Sequence, residues 1–252
     1  MTTVRLERRG SLTLLRLDKT RGNAIDLPLV EDLVSAARDV GADGGVRGVL
    51  LSSAHPKLFC PGLDLVTLVD LDRAALEAFM RRFAEMVLAL YALPKPVVAA
   101  VSGHAVAGGC ILALTADWRV LARGAQMGLN EVKVGVPLPW SVALLVKATV
   151  SPSALSRVAL LGRNVSAEEA LSVGLADELA DPAGFEEACL ARLAEFAEKD
   201  LSAVVTTKRY LRASVLAEMK AHEAALVGEF LDGWFSPGTQ ARIRAIVASL
   251  KG

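Results

Sequence analysis

The spacing of apolar and polar positions changes several times along the chain, and each change predicts a new element. Residues 4–17 alternate apolar and polar side chains around a Gly-Ser pair, which is typical of two strands joined by a tight turn. Residues 27–43 and 72–93 instead place their apolar positions at helical spacing, and glycines and a Pro-Lys-Pro sequence end these two helices. Short β-rich runs predict buried strands at 46–54, 97–103 and 118–123.

The second half of the chain is predicted to be increasingly helical. Residues 109–117 form a short apolar helix, residues 124–139 a long loop, and residues 140–150 a further helix. Ser151 is a candidate cap for the helix that follows, and Ser166 with Glu169 three residues later matches a capping box. From about Phe185 onwards the pattern is helical, with one break at residues 236–238.

Strands separated by helices imply parallel pairing, so the sequence predicts an α/β architecture. A β-β-α unit recurs loosely without clear identity between its copies. We expect a core over residues 1–195, which carries the site, and a helical C-terminal region over residues 196–252.

The composition excludes several classes of function. The 28 basic and 28 acidic residues cancel, which argues against a nucleic-acid or acidic-membrane partner, because both need a basic surplus. Three scattered cysteines fit a reducing compartment, and they share no metal-ligand spacing with the three histidines, so no metal site is expected. With neither a signal-peptide core nor a membrane-length apolar run, the prediction is a cytoplasmic protein.

Two adjacent glycines in "GHAVAGGCILAL" stand where the short apolar helix begins. Backbone N–H groups at a helix start lack partners, and a residue without a side chain lets a ligand approach them. Close packing is the other explanation for Gly108 and Gly109. A second glycine bend in "FCPGLDL" favours the ligand explanation, because two loops that offer amide donors could stabilise one developing oxyanion.

These motifs carry a family resemblance. The sequence "FCPGLDL", then "PKPVVAAVSGHAVAGGCILALTAD", "MGLNEVKVGVP" and "SAEEALSVGLADEL" resemble, in that order, the crotonase or enoyl-CoA hydratase/isomerase superfamily. The resemblance implies a spiral of repeated β-β-α units with a helical C-terminal trimerisation region. It also implies an acyl-CoA substrate without a further cofactor, and a homotrimer or a dimer of trimers. Matched motif to motif, the N–H groups of Leu63 and Gly108 would form the oxyanion hole.

The acidic residues indicate which branch the chain resembles. Hydratases of the family place a glutamate three residues after the second oxyanion glycine, where this chain has Ile111, and their second glutamate matches Glu131. This arrangement resembles the Δ3,Δ2-enoyl-CoA isomerase branch, which implies that Glu131 moves a proton between two carbons. An apolar wall of Ile111, Leu129, Val132 and Val136 is expected to raise the pKa of Glu131.

Other residues are expected around the substrate. Asp64 also suits a helix cap, Asn130 a turn, and Pro137 and Trp140 either the acyl pocket or the core. Arg21, Lys208 and Arg209 are candidate contacts of the CoA phosphates. The residues expected to contact the substrate are Ala24, Pro61, Gly62, Asp64, Leu65, Ile111, Asn130, Pro137 and Trp140.

Two alternatives to an isomerase stay open at this point. One is a hydratase, or another thioester enzyme of the same family. The other is an acyl-CoA-binding module that has lost its chemistry, in which the isoleucine at position 111 would reflect decay. Apolar stripes in the C-terminal region could likewise bury against a neighbouring subunit or against the chain's own core.

Overall fold

The computed structural model describes residues 2–20 and 22–250, together with the backbone of residue 251. The candidate phosphate contact Arg21 therefore lies outside the described residues. Two sheets organise the described chain. The larger one runs in the order β1-β2-β3-β5-β7-β10 and the smaller one in the order β4-β6-β8-β9. The strands are β1 (Val4–Arg9), β2 (Leu12–Leu17), β3 (Gly48–Ser53), β4 (Leu58–Cys60), β5 (Val97–Val101), β6 (His104–Val106), β7 (Trp118–Ala122), β8 (Gln126–Gly128), β9 (Asn164–Ser166) and β10 (Glu178–Ala180).

The register of the sheets confirms the α/β prediction. β1 and β2 form the expected antiparallel hairpin, and β2, β3, β5, β7 and β10 pair in parallel. In the smaller sheet β4, β6 and β8 are parallel, and β9 pairs antiparallel to β8. Three successive turns of the chain, β3-β4, β5-β6 and β7-β8, therefore add one strand to each sheet before a helix follows, which is the recurring β-β-α unit.

Helices cover the sheets, and polar caps set where several of them begin. The side chains of Asp26, Asp72 and Asp200 each accept a backbone N–H from the first turn of the helix that follows. Ser166 does the same for the N–H of Glu169, as the capping box predicts. The helices are α1 (Leu27–Ala42), α2 (Leu65–Leu68), α3 (Arg73–Tyr91), α4 (Gly108–Leu114), α5 (Glu131–Val134), α6 (Trp140–Thr149), α7 (Ala167–Val173), α8 (Phe185–Ala197), α9 (Leu201–Trp234) and α10 (Pro237–Lys251).

The structure corrects three local predictions. The segment after Ser151 is a 3-10 turn followed by a π-helical turn, and the Ser151 side chain caps neither. Its carbonyl already accepts the N–H of Ala154 at 2.8 Å, so the first turn closes through the backbone alone. The loop predicted over 124–139 contains β8 and α5, and the loop before residue 65 contains β4.

The C-terminal helices pack on the chain's own core. α9 contacts α3 and α6, and α10 contacts α2, α5 and α9. The boundary predicted at residue 195 falls in the last turn of α8. Among the described helices, none has an apolar stretch long enough to cross a bilayer.

Candidate active site

A cavity of about 750 Å³ lies where the two glycine loops, α5 and the C-terminal helices meet. Its volume falls within the ordinary range for small-molecule sites, and most of its lining is apolar. The lining residues are Ala24, Leu58, Pro61, Leu63, Asp64, Leu65, Val66, Met80, Phe83, Ala107, Gly108, Ile111, Asn130, Glu131, Val134, Val136, Pro139, Phe230, Trp234, Ile246 and Leu250.

The first glycine loop holds the Leu63 amide towards this cavity. The carbonyl of Gly62 accepts the N–H of Ile25 at 2.8 Å, and the N–H of Asp64 donates to the Ile25 carbonyl at 2.8 Å. The carbonyl and N–H of one trans peptide point in opposite directions, so the Leu63 N–H points away from Ile25. In the described residues this N–H has no acceptor, and Leu63 lines the cavity.

The second glycine loop presents the Gly108 amide at the start of α4. Ala107, just before it, has φ 48° and ψ −121°, a strained conformation for a residue with a side chain. Hydrogen bonds hold it there, since its N–H donates to the Gly128 carbonyl at 2.8 Å and its carbonyl accepts the Ile111 N–H at 3.0 Å. The Gly108 N–H belongs to the first helical turn, and within the described chain it has no acceptor.

Close packing is also a reason why Gly108 and Gly109 carry no side chain. A side-chain carbon on Gly108 would lie 2.8 Å from Ile25 Cδ1 and 3.2 Å from Gly62 Cα, so the two loops touch here. A side-chain carbon on Gly109 would lie 2.0 Å from the Cys60 carbonyl oxygen. Packing therefore explains why neither position carries a side chain. It also brings Gly62, the residue before Leu63, against Gly108.

Glu131 is the first residue of α5 and faces the same cavity. Its side chain is 9% exposed, and its Oε2 atom has no hydrogen-bond partner in the described structure. Burial without a counter-ion raises its pKa to about 7. A carboxyl group with this pKa gains and loses a proton readily near neutral pH, which is what a general acid–base group requires.

The apolar wall around Glu131 differs in part from the prediction. Ile111 and Val136 line the cavity as expected, and Val134 joins them. Leu129 is buried outside the lining, whereas Val132 is 38% exposed. Val132 packs against Gly162 on the other side of α5, because successive residues of a helix face different directions.

Most of the other predicted contact residues are brought together here. Ala24, Pro61, Leu65 and Asn130 line the cavity, and Gly62 lies behind it as the contact of Gly108. Asp64 also lines the cavity. Its charge is matched by Lys19, whose Nζ lies 3.4 Å from Asp64 Oδ2, and its side chain caps α2 through the N–H of Thr67.

Pro137 and Trp140 do not reach this cavity, contrary to the prediction. They line a separate cavity of about 50 Å³ between α6 and α9. Pro139, directly before the first residue of α6, lines both cavities. The Trp140 ring then packs edge-on against His222, and its indole N–H donates to the Glu218 carbonyl at 3.4 Å.

Several cavity residues escaped the sequence analysis. Phe230 and Trp234 come from the end of α9, and Ile246 and Leu250 from α10. Their helical spacing predicts an apolar face, but it does not distinguish packing on a neighbouring subunit from packing on the same chain. Trp234 is 1% exposed, and its indole nitrogen has no partner in the described residues.

Cys110 and His104 lie next to the second glycine loop, and both have structural surroundings. Burial raises the pKa of the Cys110 thiol, which keeps it protonated. His104 accepts the Gln126 N–H through Nδ1. Within the described residues no cluster of three or more acidic, histidine or cysteine side chains could hold a metal ion.

Of the basic residues predicted at the CoA phosphates, the two that the structure describes lie away from the cavity. Lys208 is 9% exposed and pairs with Asp117 at 2.7 Å, while its Nζ also donates to the Lys95 carbonyl. Arg209 is exposed and stacks over the ring of Tyr210. Asp117 accepts a hydrogen bond from the Val97 N–H and pairs with Arg212 as well, so its role is structural.

Comparisons with known proteins identify relatives of this chain. A family model described as enoyl-CoA hydratase/isomerase matches residues 7–232. The chain is 28% identical over 231 residues to enoyl-CoA delta isomerase 1, mitochondrial, from Homo sapiens, a match that covers 91% of this chain and 76% of that protein. It is 32% identical over 200 residues to a probable enoyl-CoA hydratase, EchA17, from Mycobacterium tuberculosis, covering 79% and 76% of the two chains.

Solved structures agree with these relatives. The crystal structure of human mitochondrial delta3-delta2-enoyl-CoA isomerase superposes with a TM-score of 0.94 at 26% identity, covering 99% of this chain and 98% of that one. The apo structure of an enoyl-CoA isomerase from M. tuberculosis gives a TM-score of 0.84 at 28% identity, covering 91% and 99%. The similarity confirms the fold expected from the motifs.

Proposed function

Because the chain belongs to the enoyl-CoA hydratase/isomerase (crotonase) family, we propose that it is an enoyl-CoA isomerase that moves the double bond of a 3-enoyl-CoA to the 2-position. The substrate would be the acyl-CoA thioester itself, with no cofactor beyond its coenzyme A. Glu131 would be the catalytic residue, and the N–H groups of Leu63 and Gly108 would form the oxyanion hole.

The reaction follows from these groups. The thioester carbonyl oxygen accepts hydrogen bonds from the two N–H groups, which makes the C2 protons more acidic. Glu131, ionised, removes one C2 proton, and the electrons of that C–H bond delocalise into a dienolate whose oxygen lies on the two amides. The same carboxyl group then returns the proton to C4. The product is the conjugated 2-enoyl thioester, and no atom is gained or lost.

One observation favours isomerisation over hydration: Glu131 lines a mostly apolar cavity together with Ile111, and the described lining holds no second unpaired carboxylate. Hydration benefits from two carboxylates that hold and activate a water molecule. Of the acidic residues in the described lining, Asp64 is paired with Lys19, so Glu131 alone has an unpaired carboxyl group. The adjacent Ile111 side chain is 2% exposed and gives water no polar partner.

We propose a homotrimer, or a dimer of trimers, as the assembly. Two large side chains of α9, Tyr210 and Leu211, are 69% and 77% exposed, and they offer apolar area to a neighbouring copy. Size-exclusion chromatography with light scattering tests this proposal, since a monomeric mass would refute it. A cytoplasmic location stays a prediction from the sequence.

The activity is tested with two substrates and two variants. Wild-type protein receives a 3-enoyl-CoA or a trans-2-enoyl-CoA, while the ultraviolet absorbance of the conjugated thioester is followed. The Glu131→Gln variant keeps the size of the side chain and removes the base. Glu223→Gln is the matched control, because Glu223 is also a partly buried carboxyl group with a raised pKa, yet it lies outside the larger cavity.

The expected result is absorbance that grows from the 3-enoyl substrate, is lost in Glu131→Gln and persists in Glu223→Gln. Absorbance that falls from the 2-enoyl substrate would mean hydration, and would show that one carboxylate suffices for it. Binding of acyl-CoA without any change in either trace would leave the non-catalytic module as the better description.

A further inference from the structure

The helix that carries Glu131 is too short to hold itself in place. α5 has four residues, and Glu131 is the first of them. One helical turn is marginal in isolation, because nucleation fixes several residues for few hydrogen bonds. The position of the Glu131 carboxyl group relative to the Leu63 and Gly108 amides therefore depends on what packs against α5.

The C-terminal end of α5 is attached to the start of α10. Gly135, the residue that ends α5, has φ 107°, and its carbonyl oxygen accepts the hydroxyl of Thr239 at 3.0 Å. The Ser236 hydroxyl donates to Thr239 Oγ1 at 2.9 Å, which leaves the Thr239 proton free for Gly135. Thr239 is 1% exposed, so water has little access to replace this bond.

Further contacts hold α5 from two sides. Arg242 Nε donates to the Val134 carbonyl at 2.8 Å, although the arginine itself is exposed. A side-chain carbon on Gly233, near the end of α9, would lie 2.9 Å from Pro137 Cδ. Elsewhere on α5, a side-chain carbon on Gly162 would lie 2.8 Å from Val132 Cγ2. α5 is thus enclosed between residue 162 and the junction of α9 with α10.

We propose that Thr239 is a positioning residue for proton transfer: its buried hydroxyl holds the Gly135 carbonyl and so fixes Glu131 relative to the oxyanion amides. The inference rests on the function proposed above. α10 also contributes Ile246 and Leu250 to the cavity wall. One helix, α10, therefore both forms part of the cavity wall and positions the base.

The test compares three threonine variants. Thr239→Val keeps the shape and removes the donor, whereas Thr239→Ser keeps the hydroxyl. Thr3→Val is the matched control, because Thr3 is also buried and its hydroxyl donates a hydrogen bond to Asp32 at 2.8 Å. Thr3 lies directly before the N-terminal hairpin and outside the cavity lining. If Thr239→Val does not fold, Thr239→Cys takes its place, since a thiol has similar size and is a weak donor.

Two readouts are measured for each variant. The first is kcat and KM with a 3-enoyl-CoA. The second is the titration of Glu131 in the free protein by carbon-13 NMR of labelled glutamate, with the resonance assigned from its loss in Glu131→Gln. The titration needs no turnover, so it tests positioning even if the wild type does not isomerise the substrate and the proposed function fails.

We expect Thr239→Val to lower kcat about tenfold, less than the about hundredfold that a 1 Å misplacement can cost, with KM changed less than about twofold. The Glu131 titration should shift to lower pH, because a displaced α5 admits water. Thr239→Ser and Thr3→Val should stay within about twofold of wild-type kcat. The proposal is overturned if Thr239→Ser loses as much as Thr239→Val, or if the Glu131 titration is the same in Thr239→Val and the wild type.

Discussion

Replacing Glu131 by glutamine should stabilise the protein while abolishing its activity, and the gain should depend on pH. The pKa of this carboxyl group rises from 4.5 to about 7 because the folded protein buries it without a counter-ion. At 1.36 kcal/mol per pKa unit, this shift corresponds to about 3 kcal/mol of unfolding free energy. Glutamine has nearly the same shape and carries no charge at any pH.

The direction follows from the number of protons bound in each state. Below pH 4.5 the carboxyl group is protonated in the folded and the unfolded protein, and burial costs little. Between pH 4.5 and 7 the unfolded protein releases the proton and the folded protein keeps it, so stability falls as the pH rises. Above pH 7 both states are ionised, and the folded protein carries the full cost.

The measurement is urea unfolding of the wild type and of Glu131→Gln between pH 5 and pH 8. The difference in unfolding free energy between the two proteins should grow by about 2.5 kcal/mol over this range, in favour of the variant. The wild-type kcat/KM should rise with pH, reach half its maximum near pH 7 and level off about one pH unit higher, because the proposed base must be ionised.

A constant difference across this pH range would refute the reasoning, since it would mean that Glu131 titrates alike in the two states. A kcat/KM profile with its half-maximum near pH 4.5 would refute it independently. Glu85→Gln is the reference variant, because it makes the same substitution at an exposed carboxylate, in α3.

Three further predictions concern the scaffold. Gly109→Ala should abolish folding or lower the melting temperature strongly, because the new carbon would lie 2.0 Å from the Cys60 carbonyl oxygen. Its control is Gly228→Ala in α9, which should melt at or above the wild-type temperature because the space around Gly228 is open. Asp117→Asn should cost about 3–5 kcal/mol in urea unfolding, since it leaves two buried cations without their carboxylate. Ser166→Ala should cost about 1 kcal/mol in the same assay through loss of the α7 cap, and an unchanged midpoint would show that the cap contributes nothing.

The elements that could be predicted are those specified by local chemistry. The capping box at Ser166, the proline after α3 and the alternation in the first hairpin depend on neighbours within a few residues. Ser151 shows the limit of this reasoning: it has the right side chain for a cap, but its carbonyl closes a 3-10 turn instead. The strand β8 and the helix α5 have three and four residues, too few to show a period.

In the candidate site too, local motifs predict some of the residues and not others. Motif matching brought Glu131, Leu63 and Gly108 together, because each lies in a short segment with a recognisable pattern. Pro137 and Trp140 lie close to Glu131 in sequence but line the smaller cavity beside α9. The C-terminal wall of the cavity comes from about 100 residues further along. No local pattern specifies which surface a distant helix covers.

The two N–H groups of the candidate oxyanion hole belong to the main chain, and this has a consequence for how such a protein can change. A substitution at position 63 alters the size of a side chain, but only proline would delete the donor. The groups at positions 111 and 131 are side chains, and a single codon change replaces either of them. The candidate oxyanion hole is therefore robust to mutation, whereas the side chains proposed to direct a proton or a water molecule are easily exchanged. A chain of this design can acquire a new reaction of the same intermediate without rebuilding the site that holds it.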